Sequence, residues 1–372
     1  MKEGLANMFF NMTTKLYIEK DAVSNHKKDI EGFGKKALIV TGHNSSRING
    51  SLSDVENTLQ SIGTEYIVYN KTDENPSVEN ILDAREFALS FDPEYVIGIG
   101  GGSPLDASKA IALMLANPSF GKELLFDTSL DYKKALPVIC VPTTCGTGSE
   151  VTPYSILTLH DKQTKSSIPH HIFPELSLGD GKYLSYAPDN ILINTAVDAL
   201  GHFIESHINA KQTIFSCLFT EKGLSMWQTV KTILLKKEKT YDDYETLLTV
   251  SSIAGMAISH TGTSLPHGMS YSLTYNYGIP HGKAVGTFLP AYINNSDEKN
   301  KSQVLKLLAY NSCEEFSSDL ERLIGRTVIK ECDYNSYMEA MMSNERKLKS
   351  CPFTADQNTV SAIYKDSLLS ID

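Results

Sequence analysis

Short, nearly continuous apolar runs alternate with amphipathic stretches over the first 145 residues, and beyond about residue 190 the runs fade while the amphipathic stretches continue. Residues 36–41, 65–69, 94–100 and 136–142 are rich in Val, Ile and Tyr with few polar interruptions. Runs that are apolar on both faces suit parallel strands covered on both sides. The stretches 53–61, 78–90 and 104–115 carry a helical period or good helix starts. The order is therefore β-α-β-α-β, a doubly wound sheet, with residues 14–18 as an added edge strand. In the second half, residues 191–210, 214–236, 241–259, 302–324 and 337–349 read as helices. The pattern predicts an α/β domain over residues 1–189 and an all-helical domain over 190–372. Pro169, Pro174, Gly179, Gly181 and Pro188 break any long element near the boundary.

Composition narrows the function classes. At 372 residues the chain exceeds what one hydrophobic core usually serves, and 41% hydrophobic with 21% charged residues suits a globular protein. A net charge of −10 argues against a nucleic-acid or anionic-membrane surface, which needs excess Lys and Arg. No apolar run reaches the ~18 residues that suggest a membrane span, and the opening residues lack a signal peptide's apolar stretch. A cytoplasmic location is expected. Cys140, Cys145, Cys217, Cys313, Cys332 and Cys351 are scattered without a Cys-x-x-Cys pair, as free thiols in a reducing compartment would be.

Two loops carry the composition of an anion site. Gly100-Gly-Gly-Ser-Pro104 joins a strand to a helix bearing Asp106 and Lys109. Such a turn lets backbone N–H groups approach a phosphate, although glycine turns also serve tight geometry alone. Residues 142–152 follow the next strand with the hydroxyls of Thr143, Thr144, Thr147 and Ser149, and two glycines. Loops at the carboxyl ends of strands are where open α/β sheets bind ligands, and a polar surface loop is the bland alternative. Cys145 has no neighbouring His in the sequence and reads as a small filler.

The helical half carries a different chemistry. Asp198 and His202 stand four residues apart on one predicted helix face, so they can converge on a metal ion or simply bond to each other. His267 and His281 lie 14 residues apart. Along one helix that is ~21 Å, too far to share an ion, so the chain must double back, and Gly278 with Pro280 supplies the break. One carboxylate and three imidazoles suit Fe²⁺ or Zn²⁺.

Together these motifs resemble the iron-dependent (group III) alcohol dehydrogenase family, in family order and over nearly the whole chain. The resemblance implies an N-terminal Rossmann-like dinucleotide-binding domain and a C-terminal helical domain, the dehydroquinate synthase-like plan, with the active site in the cleft between them. It implies that Asp198, His202, His267 and His281 ligate the metal. Gly101, Gly102, Ser103 and Asp106 would meet the pyrophosphate, and Thr143, Thr144, Thr147, Ser149 and Lys165 the nicotinamide side. The implied reaction passes a hydride between a small alcohol or aldehyde and NAD(P), with homodimers expected. Related polyol enzymes such as glycerol dehydrogenase, or a 3-dehydroquinate synthase, are the nearest alternatives, and a non-redox metallohydrolase is a more distant one.

Two departures from the family pattern are informative. Many members have a second His four residues after the first ligand histidine, where this chain has Tyr271, a hydrogen-bond donor that titrates near ~10 unperturbed. His260 could stand in as proton carrier, although a helix-end His serving only as a cap is the favoured reading, and Phe173, His260 and Tyr271 are the expected substrate-facing side chains. After the first long strand, NAD-preferring members often place an acidic residue, whereas this chain reads Thr41-Gly-His-Asn-Ser-Ser-Arg47. Gly42 removes the carboxylate that would repel a 2′-phosphate, and Ser45, Ser46 or Arg47 could hold it, so NADP is favoured over NAD.

Overall fold

The computed structural model of the chain describes residues 10–330 and 333–371, and Cys332 and the first nine residues lie outside the described residues. The chain forms two compact units. One comprises residues 12–188 with 238–252, the other residues 1–11, 189–237 and 253–372.

The α/β unit is built on six parallel strands: β1 (Lys15–Ile18), β2 (Lys36–Gly42), β3 (Glu65–Thr72), β4 (Tyr95–Gly100), β5 (Val138–Pro142) and, after a small hairpin, β8 (Leu176–Gly179). Their order across the sheet is β1-β8-β5-β4-β2-β3. The register runs Ala37 opposite Tyr95 and Val96 opposite Val138. Successive side chains of one strand point to opposite faces, and both faces are dry. Leu38, Val40, Val96 and Val138 join one core with Ala84, Leu105 and Ile111 of the helices Val78–Leu89 and Gly102–Ala116. Ala37, Ile39, Ile97 and Ile139 join the other with Leu52, Val55 and Leu59 of Ser51–Ser61. Double coverage explains why these strands read as unbroken apolar runs.

The sequence reading missed three strands between residues 155 and 180. β6 (Ile156–Leu159) and β7 (Thr164–Ser167) form an antiparallel hairpin, and β8 adds to the main sheet. Each is four residues long, and β8 reads Leu-Ser-Leu-Gly, too short to set a period. Its Ser177 is fully buried because its hydroxyl donates to the Glu150 carbonyl.

In the helical unit the long elements are Asp189–His207, Ile214–Ser225, Trp227–Leu235, Leu265–Tyr277, His281–Asn294, Glu298–Leu308, Cys313–Ile324 and Gln357–Ser367. Three stretches expected as single helices are each divided, that at 337–349 between Tyr334–Met342 and Glu345–Leu348. The 302–324 stretch breaks where Ala309 adopts φ 59°, after which Ser312 caps the next helix by accepting from Glu315 N. The 214–236 stretch breaks at Met226. The helix Tyr241–Thr261 starts within residues assigned to the α/β unit. Among the described residues no helix is long and apolar enough to cross a membrane.

Candidate functional site

In the α/β unit the two glycine- and hydroxyl-bearing loops are pressed together. β4 ends at Gly100 with φ 147°, and the helix Gly102–Ala116 begins at Gly101 without a side-chain cap. A Cβ on Gly101 would stand 3.1 Å from the Thr144 side chain, and one on Gly102 only 2.6 Å from Thr147 Cγ2. Thr143 N donates to Gly100 O at 2.9 Å. Thr143, Thr144 and Thr147 thus gather beside Gly101 and Gly102.

The structure uses Asp106 differently from the expectation that it meets a phosphate. Its Oδ1 accepts from Ser149 Oγ at 2.5 Å and its Oδ2 from Ile156 N at 2.8 Å. Lys109, fully buried, donates to Ser149 O and Ser149 Oγ, both at 2.7 Å, and to Tyr154 O at 2.8 Å. A carboxylate facing a phosphate would repel it, whereas this one is turned inward to hold a loop. Burial raises the Asp106 pKa and lowers that of Lys109, and each is opposed by the charge of the other. Ser149 is likewise committed to the clamp. Glu150, also buried, accepts from Ser252 Oγ at 2.6 Å.

Ser103 and Lys165 meet at a residue that the sequence reading missed. Asn75, at φ 59°, donates its N–H to Ser103 Oγ at 3.0 Å, and its Oδ1 accepts from Lys165 Nζ at 2.7 Å. Its carbonyl accepts from Thr158 Oγ1 at 2.8 Å. The Asn75-Pro76 dipeptide after β3 is the signal that could have drawn attention to it.

At the end of β2, Ser46 is buried and its hydroxyl accepts from Thr41 Oγ1 at 2.7 Å, which removes it from the candidate phosphate-binding residues. Ser45 and Arg47 are exposed. A Cβ on Gly42 would find Thr72 O at 3.7 Å and Ser45 Oγ at 4.0 Å, so a side chain fits there. A carboxylate does come near through space: Asp73, just past β3, pairs with His43 at 3.2 Å on the surface.

In the helical unit, four side chains from three helices converge. Asp198 and His202 share the buried face of Asp189–His207, with His202 Nε2 3.9 Å from Asp198 Oδ1. His267 Nε2, from Leu265–Tyr277, lies 3.3 Å from the same oxygen, and His281 Nε2, from His281–Asn294, 3.6 Å. The His202 and His267 rings stack at 4.6 Å. The reversal between the last two helices occurs at Gly278, φ 62°, followed by Pro280. Gly282 then lets the returning helix touch Asp189–His207: a Cβ there would sit 1.7 Å from Asn194 O.

Asp198 Oδ1 and His267 Nε2 are buried and face each other at 3.3 Å, with His202 and His281 turned on the same oxygen. Gathering one carboxylate and three imidazoles in a buried place is costly unless they are jointly satisfied, and a divalent first-row cation suits the donor set. Ligand atoms of Asp198, His267 and His281 all lie within 4.8 Å of one another. Burial alone would raise the Asp198 pKa, but His202, His281 and His267 outweigh it and hold the carboxyl well below the usual range. Burial alone would lower that of His267, yet Glu205 and Asp198 bring it up to about 9.

Glu205 is the second residue absent from the sequence reading. Fully buried three positions after His202, it accepts from His267 Nδ1 through Oε1 and from Ser264 N through Oε2 at 2.5 Å. Occupying Nδ1 turns Nε2 of the same ring toward Asp198, the arrangement by which outer carboxylates orient metal-binding histidines. Its place one further turn along the Asp198/His202 face was a readable signal.

Tyr271 stacks on His281 with ring centroids 6.3 Å apart, and Lys347 Nζ lies 5.9 Å from the Tyr271 ring centroid. His260 is otherwise engaged than as a proton carrier. Its ring stacks between Phe10 at 5.0 Å and Phe219 at 5.9 Å, and its Nδ1 bonds to Met256 O at 2.8 Å, one turn back in its own helix.

Comparison with known proteins extends over the same residues. Residues 13–181 match the family model for iron-containing alcohol dehydrogenase, and residues 192–368 that for the C-terminal part of the Fe-containing alcohol dehydrogenase family. The NADPH-dependent butanol dehydrogenase of Clostridium saccharobutylicum is 27% identical over 326 residues, 85% of this chain and 82% of its own. Lactaldehyde reductase of Escherichia coli K12 is 30% identical over 258 residues, 69% of this chain and 67% of its own. A solved iron-containing alcohol dehydrogenase of Thermotoga maritima superposes with a TM-score of 0.90 at 31% identity, covering 96% of this chain and 99% of that one.

Proposed function

Because the chain belongs to the iron-containing alcohol dehydrogenase family, we propose that it is an NADP-preferring dehydrogenase of a small alcohol, or reductase of the corresponding aldehyde, working with Fe²⁺ or alternatively Zn²⁺. The observation that carries this is the convergence of three imidazoles on Asp198 Oδ1 at 3.3, 3.6 and 3.9 Å. Asp198, His202, His267 and His281 would hold the metal. When bound, the metal supplies Lewis acidity toward the substrate oxygen and the nicotinamide supplies or accepts the hydride.

The chain's own residues do the rest. Gly101, Gly102 and Ser103 present backbone and hydroxyl groups to the pyrophosphate, and Thr143, Thr144, Thr147 and Lys165 line the nicotinamide side. Glu205 fixes the orientation of His267. Tyr271, stacked on the more exposed histidine, donates a hydrogen bond to the substrate oxygen. Gly42, with Ser45 and Arg47 beside it, accommodates the 2′-phosphate. The same reading takes residues 1–189 as the nucleotide-binding part and 190–372 as the metal-binding part. It includes a homodimer in a reducing cytoplasm, in keeping with the free thiols of Cys140, Cys145, Cys217, Cys313 and Cys351.

Protein reconstituted with Fe²⁺ or Zn²⁺ should oxidise NADPH, read by its near-UV absorbance, with short-chain aldehydes, and do so faster than it oxidises NADH. Silence with both nucleotides across aldehydes, alcohols and polyols would reject the proposal. Ester or amide hydrolysis without nucleotide would favour a metallohydrolase.

A further inference from the structure

Lys109 is fully buried, at 0% exposure, yet it belongs to a helix whose start is a candidate phosphate site. Its hydrogen bonds cross to the neighbouring loop: Ser149 O, Ser149 Oγ and Tyr154 O, at 2.7, 2.7 and 2.8 Å. A lysine has three N–H donors, and these acceptors use them. Asp106, 3.8 Å from the ammonium, grips the same segment. Its side chain holds Ser149 Oγ and Ile156 N, and its carbonyl accepts from Ser155 Oγ at 2.7 Å. Thr144 and Thr147 of the same loop lie against Gly101 and Gly102. Between Pro142 and Ile156 the chain has little regular structure of its own, a single 3₁₀ turn at Ser149–Val151.

A loop with so little regular structure takes its shape from what holds it. We propose that Lys109 is a positioning residue for the nicotinamide nucleotide: with Asp106 it locks the hydroxyl-bearing loop to the glycine-loop helix, so that both loops meet the nucleotide as one preformed surface. This rests on reading the two loops as the nucleotide site. Lys109 itself touches no reacting atom. Its removal should weaken nucleotide binding in ground and transition states alike, raising KM while leaving kcat nearly unchanged.

Replacing Lys109 alone would strand the half-buried Asp106 charge and could unfold the unit, so the deciding variant is the neutral pair Lys109→Met with Asp106→Asn. In metal-loaded protein its melting temperature should stay near that of the parent, while the NADPH dissociation constant, read by fluorescence, and KM each rise about tenfold. A folded double variant with parental Kd and KM overturns the proposal. If it does not fold, Ser149→Ala, which removes the hydroxyl shared by both side chains, decides instead. A rise in KM of about threefold is expected, and an unchanged KM overturns it. A parent protein that binds neither NADPH nor NADH removes the loop reading itself, and the proposal with it.

Discussion

Glu205 accepts a hydrogen bond from Nδ1 of His267, with both side chains sealed inside the helical unit. The bond selects the ring orientation in which Nε2 faces Asp198. Glu205→Gln should keep the fold, because an amide oxygen can still accept from Ser264 N, but lower metal affinity about 10- to 100-fold. Chelator competition measures this, and an affinity equal to the parent's would reduce Glu205 to a packing role.

His267 and His281 should differ in what their loss costs. The His267 side chain is 5% exposed and that of His281 30%. Both His267→Ala and His281→Ala should lower bound metal after dialysis. His267→Ala should also cost about 2–4 kcal/mol of stability, since it leaves a cavity and strips Glu205 of a partner, whereas His281→Ala should cost under about 1 kcal/mol. Full metal retention in both variants would refute the site.

Metal removal should lower the melting temperature, because an ion bound only by the folded state stabilises it. At a hundredfold excess over Kd the gain is about 2.7 kcal/mol. Identical melting curves for stripped and reloaded protein would argue that the buried Asp198 and His267 atoms do not bind an ion.

Gly42→Asp is sterically mild, since the new Cβ meets nothing closer than 3.7 Å. Its carboxylate would face the position assigned to the 2′-phosphate. NADPH affinity should fall roughly tenfold relative to NADH, a cost of about 1.4 kcal/mol. An unchanged preference would remove Gly42 from cofactor selection.

Lys182 ties three carboxylates together: Asp21 at 2.8 Å, Asp54 at 2.9 Å and Asp180 at 3.4 Å. At 34% exposure it is partly screened, so Lys182→Met should cost about 1–2 kcal/mol rather than the larger penalty of a sealed pair. Lys182 holds the Asp21 pKa below 3.8, so this contribution is complete above pH 3.8 and fades as pH falls through the lower folded value. Burial alone would lower the Lys182 pKa, but Asp21 and Asp54 outweigh it and raise it above 10.5, so its contribution is complete below pH 10.5 and fades above its folded value. The difference in unfolding free energy between parent and Lys182→Met should therefore be flat from about pH 5 to 9 and shrink in acid. A difference that grew below pH 4 would contradict this network.

Legibility in the sequence followed the range of the forces involved. β2, β4 and β5 were readable because each is a β-branched run buried on both faces. β8 was not, since four residues hold no period and its place depends on pairing with β1 and β5. Asp198 and His202 were readable as a pair from helical spacing. Their meeting with His267 and His281 could be stated from sequence only as a condition, that the chain must turn back.

The sequence by itself determined the alternation of elements, the two glycine- and hydroxyl-bearing loops and the Asp198/His202 face, because periodicity and turn chemistry are carried within a few residues. Tertiary structure decided which groups each polar atom faces. Asp106 turns inward because Ser149 Oγ and Ile156 N, 43 and 50 positions away, satisfy it more cheaply than a site facing a phosphate would. Glu205 meets His267 across 62 positions because the helices Asp189–His207 and Leu265–Tyr277 pack together, with Gly201 lying under the His267 ring. Hydrogen bonds of that reach cost chain entropy to close and depend on the packed core, so they leave no local pattern to read.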